Sequence, residues 1–325
     1  ENIKRVNRSE DNIKDLVNYA HGNGLSASTE LITGLPGETY HSFIETCWMV
    51  IRLGFDSIYA DSLYLLKGSD LYTDEERKKY KIKTMFGLVS KGISKIGNEY
   101  CFETEEYLVE SSSMNLEDFW KLYKFRIYIS MIYIAGYFKE LIMHFYNYNI
   151  FLIDIYEELV SNAEKYPNFN GSLNEIVKYS KKTKLYSSIR QLRKKIIDLL
   201  ESGQGLEDFD LVYHVYHIIG SMMARKNKSA FVNEFKNAAY KLFHEKNKPD
   251  DEFIYITDEL VQITYHIMIS PMEETEELIN RESYYDYVKW VEENYSKKLS
   301  EYKCTEIKSF SLAIRNFNEH KYLTE

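Results

Sequence analysis

Two periodicities alternate in the first sixty-six residues, and that alternation restricts the folds open to the chain. Ser9 suits a helix cap, Glu10 and Asp11 place acid in the first turn, and Ile13, Leu16, Val17 and Ala20 follow at helical spacing. Gly22 and Gly24 supply the stop, and Ser26 to Thr33 reads as a strand. A second helix is expected from about Tyr40 to Leu53, with Phe43, Ile44, Cys47, Val50 and Ile51 on its buried face and Gly54 as terminator. Asp56 to Leu66 reads as a second strand, closed by Lys67-Gly68-Ser69-Asp70. Helix, strand, helix, strand with short loops implies parallel strands and helical crossovers, as in an α/β barrel or a doubly wound sheet. In both architectures ligands gather at the carboxyl ends of the strands.

The first such end reads Gly34-Leu35-Pro36-Gly37-Glu38-Thr39. Two glycines and a proline within four residues require a sharp turn free of bulky side chains. Strand parity puts Glu30, Ile32 and Gly34 on one face and Leu31 and Thr33 on the other. Parallel strands are usually covered on both faces, so Glu30 needs an answering base or ligand. Asp61 poses the same problem in the second strand. A core Lys, Arg or Tyr would answer each acid as well as a ligand would.

With 325 residues the chain can form one or two domains, and its net charge of −9 argues against a nucleic-acid partner. The basic run Arg190 to Lys195 reads as a solvated helix face. The cysteines, Cys47, Cys101 and Cys304, lie too far apart for a disulfide framework or a local metal knuckle. The longest apolar stretch, Ile127 to Phe138, is too short to cross a bilayer and reads as a buried helix. A soluble cytoplasmic protein with no membrane partner is expected. The chain opens at Glu1, not Met, inside a helix approach, which suggests part of a longer polypeptide.

"RVNRSEDNIKDLVNYAHGNGLSASTELITGLPGETYHSFIET", followed by "LGFDSIYADSLYLLKGSDLY", resembles the second half of the radical S-adenosylmethionine barrel, the TIM-like fold of that enzyme superfamily. More narrowly it resembles the cobalamin-binding type, the methylthiotransferases and the oxygen-independent coproporphyrinogen oxidases. The likeness covers residues 1 to 85 well and continues loosely to about 145. It implies that the strand end lies against the adenosyl group and that an arginine meets the methionyl carboxylate. Carried over residue by residue, the cofactor-binding positions are Arg8, Glu30, Ile32, Gly34, Pro36 and Gly37. The resemblance also implies S-adenosylmethionine and a 4Fe-4S cluster as cofactors, cobalamin through an upstream domain, and a flavodoxin or ferredoxin as reductant. The substrate, a small molecule or a peptide, is not specified by these residues.

One departure stands against these matches. The family holds its cluster with Cys-x3-Cys-x2-Cys after the first barrel strand, and this sequence has no such motif. The cluster ligands are therefore expected outside the chain, which would be inactive by itself and would begin near the fourth helix of the barrel. A non-catalytic helical binding or scaffold protein with a vestigial half-barrel is the competing expectation. A half-barrel alone would leave a long strand edge and an open core.

The expected organisation is α/β and then mostly α: residues 1–85 as the last part of the barrel, 86–145 as a β and helical extension, and 146–325 as a helical domain. A short β excursion is expected around residues 89–113, with Ser112 or Ser113 capping the next helix. Breaks at 168–171, 202–205 and 248–251 should separate the later helices. His214 and His217 sit three apart and could share a metal, though packed histidines in an aromatic helix are the better expectation. Tyr123, Tyr128, Tyr133 and Tyr137 read as core.

Overall fold

A computed structural model describes residues 8–97, 99–129, 132–133, 138–180, 185–202, 228–248, 250–269, 277–293, 295–316 and 319–324. The chain divides into two units, residues 1–127 with 174–218, and residues 128–173 with 219–325. His214, His217 and Tyr137, and the Gly203–Gly205 break, lie outside the described residues.

The first unit opens with the expected alternation. Helix α1 (Glu10–Gly22) starts at Ser9, whose hydroxyl accepts the Asn12 N–H at 3.3 Å. Strand β1 (Ser28–Thr33), helix α2 (Tyr40–Arg52) and strand β2 (Ser57–Ser62) follow. β1 and β2 are parallel, with Glu30 opposite Tyr59 and Ile32 opposite Asp61. Helix α2 buries Phe43, Ile44, Cys47, Val50 and Ile51, the face read from the sequence, and it packs on β1. Thr39 caps α2 through a reciprocal pair with Ser42. Asp56 ties the amino ends of the strands together: its carboxylate accepts the Ala27 N–H at 2.8 Å and meets His21 Nε2 of α1 at 2.8 Å.

Beyond β2 the chain turns through helix α3 (Asp74–Lys79) into an antiparallel hairpin, β3 (Lys83–Ile96) and β4 (Glu99–Glu110). The β excursion is thus longer than the sequence suggested. Residues 63–65 pair with β4, through Leu65 N–H to Glu106 O at 2.8 Å and Leu108 N–H to Leu63 O at 3.0 Å. This pairing brings the hairpin to the carboxyl end of β2. Arg77 grips Glu106 with two nitrogens at 2.7 and 2.9 Å, a bidentate pair that fixes the hairpin base. Helix α4 (Leu116–Ile129) follows. Its cap is Asn115, whose Oδ1 accepts the Asp118 N–H at 2.9 Å; neither Ser112 nor Ser113 caps it. Helices α5 (Lys139–Tyr146), α6 (Leu152–Ser161) and α7 (Pro167–Ser180) continue the chain. Helix α8 (Ile189–Glu201) covers the hairpin with Leu192 and Ile196, leaving Arg190, Arg193, Lys194 and Lys195 exposed, as a solvated face requires.

The second unit packs α5, α6, helix α9 (Lys228–Lys246) and helix α10 (Asp251–Ile269) around aromatic side chains. Phe243 and Phe253 stack with centroids 3.7 Å apart, and Tyr128 lies 4.8 Å from Tyr156. Tyr128 and Tyr133 are core residues. Glu234, buried on α9, accepts the N–H groups of Asn168 and Phe169 at 3.1 and 2.7 Å, and so neutralises the α7 start. Residues 168–171 are therefore inside a helix, and the break falls before Pro167, which suits the first helical position.

The all-helical expectation for residues 146–325 needs correction. Strands β5 (Glu277–Tyr285), β6 (Lys303–Asn316) and β7 (Glu319–Thr324) form an antiparallel sheet in the order β5-β6-β7. Helix α11 (Tyr287–Glu292) links β5 towards β6. Phe310, Leu312 and Ile314 alternate with Ser309, Ser311 and Ala313, the period of two that marks a strand. Among the described residues no helix is long and apolar enough to cross a membrane.

The Asp56 tie should be a main support of the parallel pair. Asp56→Ala removes two partners from one part-buried carboxylate, and we expect a loss of about 1–3 kcal/mol in urea unfolding followed by far-ultraviolet circular dichroism. An unchanged midpoint would assign α1 docking to Val17 packing alone.

Candidate functional site at the strand ends

The carboxyl end of β1 is built by its own turn. Leu35 O accepts the Glu38 N–H at 2.9 Å, with Pro36 and Gly37 between and Gly37 at φ +92°, the pattern of a type II turn. Gly34 at φ +90° leaves the strand geometry, so the side-chain parity of β1 stops at Thr33. A Cβ on Gly34 would stand 3.2 Å from Met114 Cε, in a backbone state that L residues rarely adopt. Gly37 donates its N–H to Ser113 Oγ at 3.1 Å, which joins the turn to the segment after β4.

Glu38 closes the turn from within. Its carboxyl accepts the Gly34 N–H at 2.7 Å. Burial pushes its pKa up to about 7, and the Gly34 and Leu35 backbone groups offset part of that rise. Beneath it lies Cys47, whose thiol is pushed far up by burial first and by the Glu38 charge second. Cys47 is therefore an inert core thiol. The bend is filled by the chain itself: Gly34 and Pro36 are buried, and Gly37 is exposed.

The other predicted positions lie elsewhere. Glu30 is exposed and Ile32 is 45% exposed, on the face of the β-pair that also carries Tyr59, 37% exposed. Thr33, Ile58, Ala60 and Ser62 are the buried side chains. The expectation that Glu30 is a costly buried acid is thus corrected, because its sheet face is open. Arg8 is exposed at the start of α1, while the far end of that helix holds the Asp56 tie at the amino ends of the strands. Among the described residues Arg8 and Glu30 make no ion pair with each other.

Asp61 received its answer from the core. Arg126, on α4 and 5% exposed, donates to Ser62 Oγ at 2.7 Å and stands 3.6 Å from Asp61 Oδ1. Burial lowers the pKa of Arg126, while the Tyr123 and Asp61 groups favour its charge. Tyr64 and Tyr107 meet edge to face at 4.8 Å nearby, and Tyr107 donates to Glu105 Oε2 at 2.8 Å. No local signal marks Arg126, since it lies in an aromatic helix 64 residues from its partner. Among the described residues no group of three or more His, Cys, Asp or Glu is arranged to hold a metal ion.

The chain is 29% identical over 122 residues to the tRNA-2-methylthio-N(6)-dimethylallyladenosine synthase of Clostridium tetani (strain Massachusetts / E88). That alignment takes in 35% of this chain and 27% of the synthase, so the chain spans well under half the length of the curated relative it matches. No protein-family model matches the sequence. The similarity supports a relationship to the radical S-adenosylmethionine enzymes, and nothing finer than that.

Glu38 provides a test of the turn. A carboxyl whose folded pKa lies above its unfolded value contributes stability that is complete below about pH 4.5 and is lost as pH rises through about 7. We expect the thermal midpoint to fall across that interval, and Glu38→Gln to abolish the fall while keeping an acceptor for Gly34. Glu38→Ala should be less stable than wild type at pH 5 by about 1 kcal/mol. Equal pH dependence in wild type and Glu38→Gln would refute this account.

Proposed function

We propose that this chain is part of a radical S-adenosylmethionine enzyme and forms one wall of its S-adenosylmethionine pocket. The observation that carries the reading is the uncovered face of the parallel pair, where Ile32 lies exposed beside Glu30 near the strand ends. An exposed β-branched side chain on a sheet face offers an apolar platform, and the neighbouring acid offers a partner for an amino group. The partial similarity to a methylthiotransferase agrees with that reading.

The residues fit S-adenosylmethionine unequally. Ile32 would meet the adenine, Glu30 would hold the methionyl ammonium, and Arg8 would take the carboxylate. Gly34, Pro36 and Gly37 would shape the wall without touching the ligand closely, since the turn is packed by Met114, Ser113 and Glu38. When bound, S-adenosylmethionine supplies radical chemistry or a methyl group. The described cysteines do not fit a 4Fe-4S site: Cys47 is buried in α2, Cys101 is exposed on β4, and Cys304 is half-buried on β6. Cluster ligands therefore belong to another segment in this proposal, as would any cobalamin contact. This chain's own part is to bind and orient.

Titration of isoleucine-methyl-labelled protein with S-adenosylmethionine, followed by NMR, tests the assignment. Shifts should centre on the Ile32 methyl and the amides of residues 30–34 and 59–61, and Ile32→Ala should weaken binding several-fold, the scale of about 1 kcal/mol of apolar contact. Shifts confined to the second unit, or none at millimolar ligand, would contradict it.

A further inference from the structure

The open face carries a second acid whose setting differs from that of Glu30. Asp61 lies directly across from Ile32 in the parallel register, at the carboxyl end of β2. Its side chain is 46% exposed, yet one oxygen is 3.6 Å from the guanidinium of Arg126, which is 5% exposed. Arg126 in turn is fixed by Ser62 Oγ at 2.7 Å, and the Tyr123 ring stands 5.8 Å from its central carbon. A buried guanidinium demands compensation, so it holds the acid that provides it in one place. Glu30 makes no ion pair with a described residue and has no such anchor. The structure therefore presents one anchored acid beside one exposed apolar side chain.

We infer that Asp61, positioned by Arg126, reads positive charge on a ligand lying along the open face, and so selects a cationic adenosine derivative over an uncharged one. The inference rests on the S-adenosylmethionine reading of that face and assigns its charge selectivity to this residue. A ligand whose flat part lies on Ile32 brings an adjoining substituent across the strand gap, about 4.8 Å wide, to Asp61. A sulfonium or ammonium there meets the half-exposed side of the carboxylate and gains Coulomb energy, reduced by the Arg126 charge behind it, whereas a thioether gains none. Arg126 touches no ligand in this account; it is a positioning residue.

The test compares S-adenosylmethionine with 5′-methylthioadenosine, which keeps the adenosyl group and carries neither cation. Affinities of the full chain for both are measured by NMR titration, with wild type, Asp61→Asn and Arg126→Lys. Asp61→Asn keeps the side chain's shape and an acceptor facing Arg126 but removes the compensating charge, so its fold is verified by far-ultraviolet circular dichroism before titration. We expect it to weaken S-adenosylmethionine about 3- to 10-fold and to leave methylthioadenosine unchanged, the ratio for one partly screened charge contact. Arg126→Lys should lower the ratio of the two affinities in the same direction. Equal affinities of wild type and Asp61→Asn for S-adenosylmethionine would overturn the inference while leaving the proposed pocket standing. A parallel loss of both ligands in Asp61→Asn would also overturn it, as a packing effect. Failure of wild type to bind either ligand would overturn both the inference and the pocket.

Discussion

The Glu38 carboxyl, turned back onto the Gly34 N–H at 2.7 Å, is the contact on which the strand-end architecture depends. It satisfies a backbone donor that the left-handed Gly34 would otherwise leave facing a buried site. It also fixes where α2 begins, because Thr39 follows at once as the cap. The cost is a half-buried carboxyl, which is why its proton is held to about pH 7. The same turn receives Ser113 and Met114 from the segment after β4, so the hairpin is docked through the bend.

Because the bend is filled from within, the available surface at this end of the unit is the face of the strands. Burial alternates sharply there: Ile58 is fully buried and Tyr59 beside it is 37% exposed. A parallel pair ordinarily has both faces covered, and the half-exposed face carrying Ile32 is an apolar surface that asks for a partner. The proposed pocket wall uses that surface. Asp61 and Arg126 add a charge whose position is set by burial, in contrast to the solvated Glu30.

Local signals carried most of what was legible in the sequence. Ser9, Thr33, Gly54 and the helical stripe of Phe43, Ile44, Cys47, Val50 and Ile51 mark elements whose bounds agree with the structure to within a few residues. The parallel pairing followed from the order of elements alone. Long-range contacts were not legible. Nothing local ties Arg126 to Ser62, or Ser113 to Gly37, and the exposure of Glu30 is not legible locally because covering of a sheet face depends on chain elements far from it. Strand β6 is masked for a different reason: its alternation of Phe310, Leu312 and Ile314 is flanked by Lys and Glu residues that also suit an exposed helix.

The central claim is that adenosine would lie on the strand face and not in the bend. Photolabelling with 8-azido-S-adenosylmethionine, followed by peptide mass spectrometry, tests it most directly. The account predicts label on peptides covering residues 28–33 and 57–62, with protection by excess unlabelled ligand. Protectable label confined to residues 35–39, or to the second unit, would contradict it.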